Sequence, residues 1–279
     1  MNSYLNGLIF VSISTALAIC GMLIVRRIYG VERLTSYHEV AGNLLSIIGT
    51  LYAVLLGFVI VDAMERQQEL RVIVEQEANG VANVFLLANG LSADKREVIQ
   101  KSCAKYVSAV INQEWEAMNS GTYSPAALES AWALWTNLTE LKPSTPEETT
   151  LHDKLLDQLS QLSDNRRIRI VSAAHGVAPA MWFILIVGGA FTVVFTYFFA
   201  VQNLKVQLLM TTLVSLTLAL NVLLVFLYGS PFTGELAVKP DAFKLDLLIF
   251  QAYNQQKSLP NPKTYGVYPP SQPLRELLR

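Results

Sequence analysis

Charge is scarce in this sequence. Only 15% of its 279 residues are Asp, Glu, Lys or Arg, where a soluble domain carries about 25%. Hydrophobic residues make up 52%, and the mean hydropathy is +0.36. A wholly soluble globular protein is thereby excluded, and an integral membrane protein with a soluble part is expected. The net charge of −1 leaves no electrostatic footprint for nucleic acid, so no such partner is expected. Cysteine is rarer still. Cys20 lies in an apolar run and Cys103 in a polar amphipathic one, so no disulfide framework is expected. The histidines His38, His152 and His175 are far apart, and none has a Cys or His neighbour at metal-ligand spacing. There is no P-loop and no Gly-x-Ser-x-Gly. An enzyme is therefore not expected, and no catalytic residue, metal or cofactor is assigned. His175 reads as an interfacial polar residue rather than a proton relay. Glu114 and Glu116 read as solvent-face carboxylates around a core Trp115, not as a catalytic pair. Strand-like alternation and internal repeats are also missing, which points to an all-α chain.

Four apolar runs reach spanning length: residues 5–25, 40–61, 181–201 and 208–228. Residues 1–6 contain no Lys or Arg, so the first run is expected to be a retained span rather than a removable signal. The fold class is an all-α integral membrane protein with two transmembrane hairpins and a helical soluble insert between spans 2 and 3. Hairpin 1 occupies residues 1–61, the insert 62–178 and hairpin 2 residues 179–228. A docking segment at 229–255 and a Pro-rich tail at 256–279, extended or disordered, follow. Within the insert, Leu70, Val74, Val81, Val84 and Leu91 mark a stalk that continues the second span. Ser92 is a candidate N-cap for a helix burying Ile99, Cys103, Tyr106, Val110 and Ile111. Ser124-Pro125 opens another, with Leu128, Trp132, Trp135 and Leu138 inward. Thr145-Pro-Glu-Glu148 has capping-box form and opens a helix burying Leu151, Leu155, Leu159 and Leu162.

None of the four runs contains a charged side chain, which disfavours a coupled pump. Small and hydroxyl residues are plentiful instead. In the second run Gly42, Ser46, Gly49 or Thr50, Ala53 and Gly57 recur at steps of three and four, so they line one helical face. Two readings follow. Such a face lets another helix approach closely, or it forms the wall of a pore in a homo-oligomer. Four helices alone leave no lumen, so a pore needs several copies around an axis. In that reading Ser46, Thr50, Ala53, Gly57 and Phe58 line the pore, and Asp62 and Glu65 stand at its mouth.

Three stretches carry a family likeness. They are Gly49-Thr-Leu-Tyr-Ala-Val-Leu-Leu-Gly-Phe-Val-Ile60, Asn165-Arg-Arg-Ile-Arg-Ile170 leading through Pro179, and Asn221 to Tyr228 followed by Pro231-Phe-Thr-Gly-Glu235 and Val238-Lys-Pro-Asp-Ala-Phe243. In this order and spacing the chain resembles the bestrophin-like domain family of bacterial and plant membrane proteins. Likeness to true bestrophins, homopentameric anion channels gated by calcium, is architectural. Their aromatic neck run and acidic calcium clasp have no counterpart that the sequence places, so selectivity and calcium gating do not carry over. The resemblance implies a passive ion channel of the inner membrane. Its expected partners are the lipid bilayer, inorganic ions and further copies of itself, a pentamer by analogy. The alternative is a non-conducting scaffold or sensor whose insert binds a protein partner. Near the span ends seven basic residues lie on the insert side (Arg66, Arg71, Arg166, Arg167, Arg169, Lys239, Lys244) and four on the other (Arg26, Arg27, Arg33, Lys205). The balance favours an insert and termini in the cytoplasm.

Overall fold

The computed structural model describes residues 3–258, and among them only helices occur, with no strand. The Pro-rich tail expected at 256–279 falls almost wholly outside the described residues. The helices are α1 (Ser3–Tyr29), α2 (Val31–Ser36), α3 (His38–Leu87), α4 (Ala93–Ala109), α5 (Trp115–Met118), α6 (Pro125–Thr139), α7 (Pro146–Ala174), α8 (Pro179–Thr196), α9 (Leu204–Tyr228) and α10 (Asp241–Ser258). A π turn, Val110–Glu114, joins α4 to α5. Four helices are long and apolar enough to cross a membrane: α1, the first half of α3, α8 and α9. The chain divides into two compact units. One comprises residues to Gln68 with Gly176–Ala237, and the other Glu69–His175 with residues from Val238 onward.

In the first unit α1 lies antiparallel to α9. Gly7 meets Leu223 at one end, where a Cβ would stand 2.6 Å from the Leu223 side chain. At the other end the Arg26 guanidinium donates to Gln207 and to the Val201 and Gln202 carbonyls. Gln207 is thus buried with its acceptor engaged. Pro179 opens α8 at its first position, where a missing N–H costs nothing. Residues 181–201 were expected as one span, but α8 ends at Thr196. The N–H groups of Tyr197, Phe198 and Phe199 turn to carbonyls three residues back instead of four, which closes the helix. Hydrophobicity alone does not register that change of hydrogen bonding. Residues 208–228 start late for the same kind of reason: α9 already begins at Leu204, because the Asn203 side chain caps the Lys205 N–H.

In the second unit the continuation of α3 buries Leu70, Val74, Val81 and Val84 as expected. Thr145 accepts from the Glu148 N–H and so caps α7, while the Glu148 carboxylate accepts from the Ser144 N–H instead of closing the box on Thr145. The inward face of α6 differs from the expected one. Ala127, Ala131, Leu134 and Leu138 are buried, whereas Trp132 is 63% exposed. Small residues at 127 and 131 let α6 lie close on α4, a fit that two bulky indoles would prevent. Helix α10 packs on α4, and Phe250 stacks on Phe85 of α3 at 3.9 Å between centroids.

Candidate functional site

The pore residues expected from the sequence all lie on α3, a 50-residue helix. Its first half carries no charged side chain between Glu39 and Asp62. The face toward its own unit is Ala41, Tyr52, Leu56, Val59 and Ala63, all buried. Tyr52 fixes that face. Its ring lies where a Cβ on Gly188 would approach to 2.5 Å, and its hydroxyl donates to the Leu185 carbonyl at 3.0 Å. Two consecutive glycines in α8 are what allow the ring in. Around it Leu56, Val59, Leu185 and Val225 complete a small apolar core.

The outward side of α3 is divided. At about 100° per residue, Ser46, Thr50, Ala53 and Gly57 fall within about 60° of one another. All four are exposed, and a Cβ built on Gly57 meets nothing within 4 Å. Ser46 donates to the Gly42 carbonyl at 2.8 Å and Thr50 to the Ser46 carbonyl at 2.6 Å. Each hydroxyl proton is thereby used inside the helix, and the oxygen lone pairs stay outward as acceptors. Phe58 does not share this stripe. It sits roughly 110° round the helix from the stripe's centre, on a neighbouring face with Asp62 and Glu65. Phe58 is 72% exposed. The structure thus gathers the seven residues into two groups: a slim hydroxyl-bearing stripe, and one aromatic ring followed by two carboxylates. Asp62 is also paired with Arg66 one turn on, at 3.0 Å. Both partners are exposed, so the pair holds little energy, but it offsets part of the acidity expected at a mouth.

A second set of functional-looking residues was read wrongly from sequence. Glu114 is no solvent-face carboxylate: it is 0% exposed. One oxygen accepts from Arg166, the other from Arg169 at 2.8 Å. Arg169 forks onto Glu77 as well, at 2.6 and 2.7 Å, and the Tyr106 hydroxyl donates to Glu77 at 2.5 Å. The Arg169 guanidinium lies over the rings of Trp115 and Phe243, at 5.2 and 5.9 Å. Burial alone would pull the Arg169 proton off; the Glu77 carboxylate beside it more than offsets this and holds the charge firmly. Burial, then the Glu77 charge, push the Tyr106 hydroxyl up. Glu114 stands four residues after Val110 and seven after Val107, so it continues the buried stripe of α4. The π turn shifts the register behind it and brings Trp115 and Met118 onto the same side. A signal for the arginines was present as well. Leu155, Leu159, Leu162, Arg166 and Arg169 follow steps of four and three, so both arginines occupy the buried stripe of α7.

Two other titratable groups are buried in the second unit. Burial pushes the Cys103 thiol up, and Asp246 of α10 adds to the effect. Asp246 is 5% exposed, its Oδ2 has no partner, and burial raises its carboxyl to about 8. His152 and His175 each bond a single backbone carbonyl at 2.8 Å. Among the described residues no group of His, Cys, Asp and Glu is placed to hold a metal ion.

Comparison with known proteins adds the following. The model of a family described as bestrophin-like, the Bestrophin-like domain, matches residues 12–243. Among solved structures, a bacterial bestrophin homologue from Klebsiella pneumoniae superposes with a TM-score of 0.62 at 16% identity, covering 87% of this chain and 98% of that one. A point mutant of a Klebsiella pneumoniae bestrophin homologue gives 0.63 at 15% identity, with 86% and 98% covered. A third structure, described as a membrane protein, gives 0.59 at 17% identity, with 85% and 96% covered. At these identities the likeness is one of fold. The comparison with curated proteins finds no match.

Proposed function

The chain belongs to the bestrophin-like domain family, and from that premise we propose that it is a homo-oligomeric, passive ion channel whose second spanning helix, α3, lines the pore. The chain is a multi-pass membrane protein: four apolar helices and a membrane-protein fold meet in it. The observation that carries the proposal is the outward stripe Ser46, Thr50, Ala53 and Gly57, beside which a Gly57 Cβ finds nothing within 4 Å. A stripe of small residues with outward lone pairs offers passing ions weak, repeated coordination, which conduction requires. Phe58, roughly 110° round the helix from that stripe, borders the pore from the contact between neighbouring copies and supplies a hydrophobic constriction there. Asp62 and Glu65 supply acidity at the mouth.

In this reading the spans form two hairpins, residues 1–61 and 179–228, with the soluble part at 62–178 between them. Copies assemble around an axis, a pentamer by analogy with bestrophins, in a bacterial inner membrane with the soluble part and both termini in the cytoplasm. Inorganic ions are the cargo, and the protein has no catalytic role. The purified protein in a planar bilayer should conduct, and Gly57→Leu should change the unitary conductance. Silence of the intact protein over a wide range of salt and voltage would overturn the proposal.

A second reading keeps one observation of its own. Trp132, 63% exposed on α6, is the kind of aromatic that anchors a protein partner. A non-conducting scaffold or sensor would capture such a partner through it and lose the complex in Trp132→Ala.

A further inference from the structure

Helix α10 carries a carboxylate that its surroundings do not support. Asp246 is buried, and its Oδ2 has no hydrogen-bond partner. Phe243, three residues before it, and Phe250, four after, are buried on the same side of the helix. The carboxylate thus lies between aromatic rings, where α10 packs on α4 and the π turn. Phe250 stacks on Phe85 at 3.9 Å, and Phe243 meets the Arg169 guanidinium at 5.9 Å. A carboxyl group shut away from water without a donor is strongly disfavoured as an anion and far less so as a neutral acid.

The charges nearby do not supply the missing donor. On α4 the titratable group beside Asp246 is Cys103, fully buried, and the Asp246 charge helps to push its thiol up. Lys101, Lys105, Asp94 and Glu97 of α4 are exposed, and Arg96 stands two turns along the helix from Cys103. Lys95 is held by Glu148, and Tyr106 donates to Glu77. On the π turn Glu114 is taken by Arg166 and Arg169, and on α3 Glu77 is taken by Arg169. On α10 itself Asp241 pairs with Lys244 at 3.6 Å. Burial is the cause that raises the Asp246 carboxyl to about 8.

Helix α10 can also leave without taking the unit apart. The buried ions Glu77, Glu114, Arg166 and Arg169 join α3, the π turn and α7, and no member of that set belongs to α10. Helix α4 keeps its packing on α6. The segment before α10 is anchored, because the Trp115 indole N–H donates to the Val238 carbonyl at 3.1 Å. The helix begins with the Lys244 N–H on the Pro240 carbonyl. Lys239 and Pro240 are therefore the joint between a fixed segment and a removable helix.

We infer that α10 is a pH-set latch on α4: it stays docked while Asp246 carries its proton and lets go when the carboxylate ionises, pivoting at Lys239 and Pro240 and uncovering Cys103. The docked form keeps a proton that the released form has lost, so the released share rises about tenfold per pH unit between about 4 and 8 and levels off above. The latch does not require conduction, so it stands or falls separately from the channel proposal.

The test reads Cys103 in the full-length protein on a Cys20→Ala background, in lipid nanodiscs. Excess N-ethylmaleimide is applied between pH 6 and 7.5, and labelling is followed by mass spectrometry. Because only the thiolate reacts, an exposed thiol labels about tenfold faster per pH unit in this range. Release of α10 should add up to about a further tenfold per unit. Asp246→Asn should label more slowly at pH 7.5 and keep only the slope of the thiolate. Phe250→Ala should raise the rate at every pH and keep the steeper slope. Low concentrations of urea should change the rate little, since release of one helix exposes far less surface than unfolding of the chain. Equal slopes in the background protein and Asp246→Asn would overturn the inference. So would an unchanged rate in Phe250→Ala, or a urea dependence as steep as that of global unfolding.

Discussion

Arg169 is fully buried, and its charge is tolerable there only because Glu77 and Glu114 both meet it. Removing one member of such a set strands the other charge in a dry interior, which costs about 3–5 kcal/mol. Glu114→Ala should therefore lower the thermal midpoint of the solubilised protein sharply, by that order of stability. Glu116→Ala, two residues on and exposed, should stay within about 0.5 kcal/mol. Equal effects of the two would mean that Glu114 is solvated. Asp246 makes a prediction about pH. Its folded-state value of about 8 stands above the ordinary 3.8. Between these values the folded chain holds a proton that the unfolded chain has released, so stability falls as pH rises from about 4 to about 8 and levels off above. Melting curves over that range should show this slope, and Asp246→Asn should flatten it, with its largest gain in midpoint near pH 8.5. A wild-type slope of opposite sign that persists in the variant would assign the dependence to other groups.

Among the elements, α8 and α3 are joined by one close fit. Tyr52 needs the space that Gly188 leaves, since a Cβ there would stand 2.5 Å from the ring. Gly188→Ala should thus destabilise the first unit by about 1–3 kcal/mol, the usual cost of overpacking. Gly57→Ala, on the open face of the same α3, should cost nothing measurable in an isolated protomer and should gain slightly from helix propensity. Parallel denaturation of the two variants checks the contrast. Much at this scale was legible in the sequence. The apolar runs announced four spanning helices, and Thr145 and Ser124 announced the starts of α7 and α6, because a run of side chains or a local cap is written in consecutive residues. What stayed hidden was set by partners far along the chain. The end of α8 at Thr196 lies inside an unbroken apolar run. Glu114 continues the buried stripe of α4, but the arginines that make a buried carboxylate tolerable there lie 52 and 55 residues along the chain. The inward face of α6 is decided by how near α4 approaches, and the large indole of Trp132 drew attention to the wrong side. In the candidate pore the stripe itself was readable from spacing, whereas the separation of Phe58, Asp62 and Glu65 onto a second face follows from helical geometry that the stripe pattern alone did not weigh.

For the whole molecule, the proposed channel depends on what copies of the chain do together. Within one protomer the Ser46–Gly57 stripe is exposed, while Leu56 and Val59 face their own core. An axis lined by α3 therefore predicts a pattern of access along one helix. The most direct measurement is reagent access during current recording, on a background of Cys20→Ala; Cys103 is buried and can stay. Cysteine is introduced singly at Ser46, Thr50, Ala53, Gly57 and, as control, Leu56, and a charged thiol reagent is applied from each side of a planar bilayer. Conduction by the background protein, with block at Ala53→Cys and Gly57→Cys and none at Leu56→Cys, is the predicted result. Absence of current, or currents that the reagent leaves untouched at every stripe position, would contradict a pore built on α3.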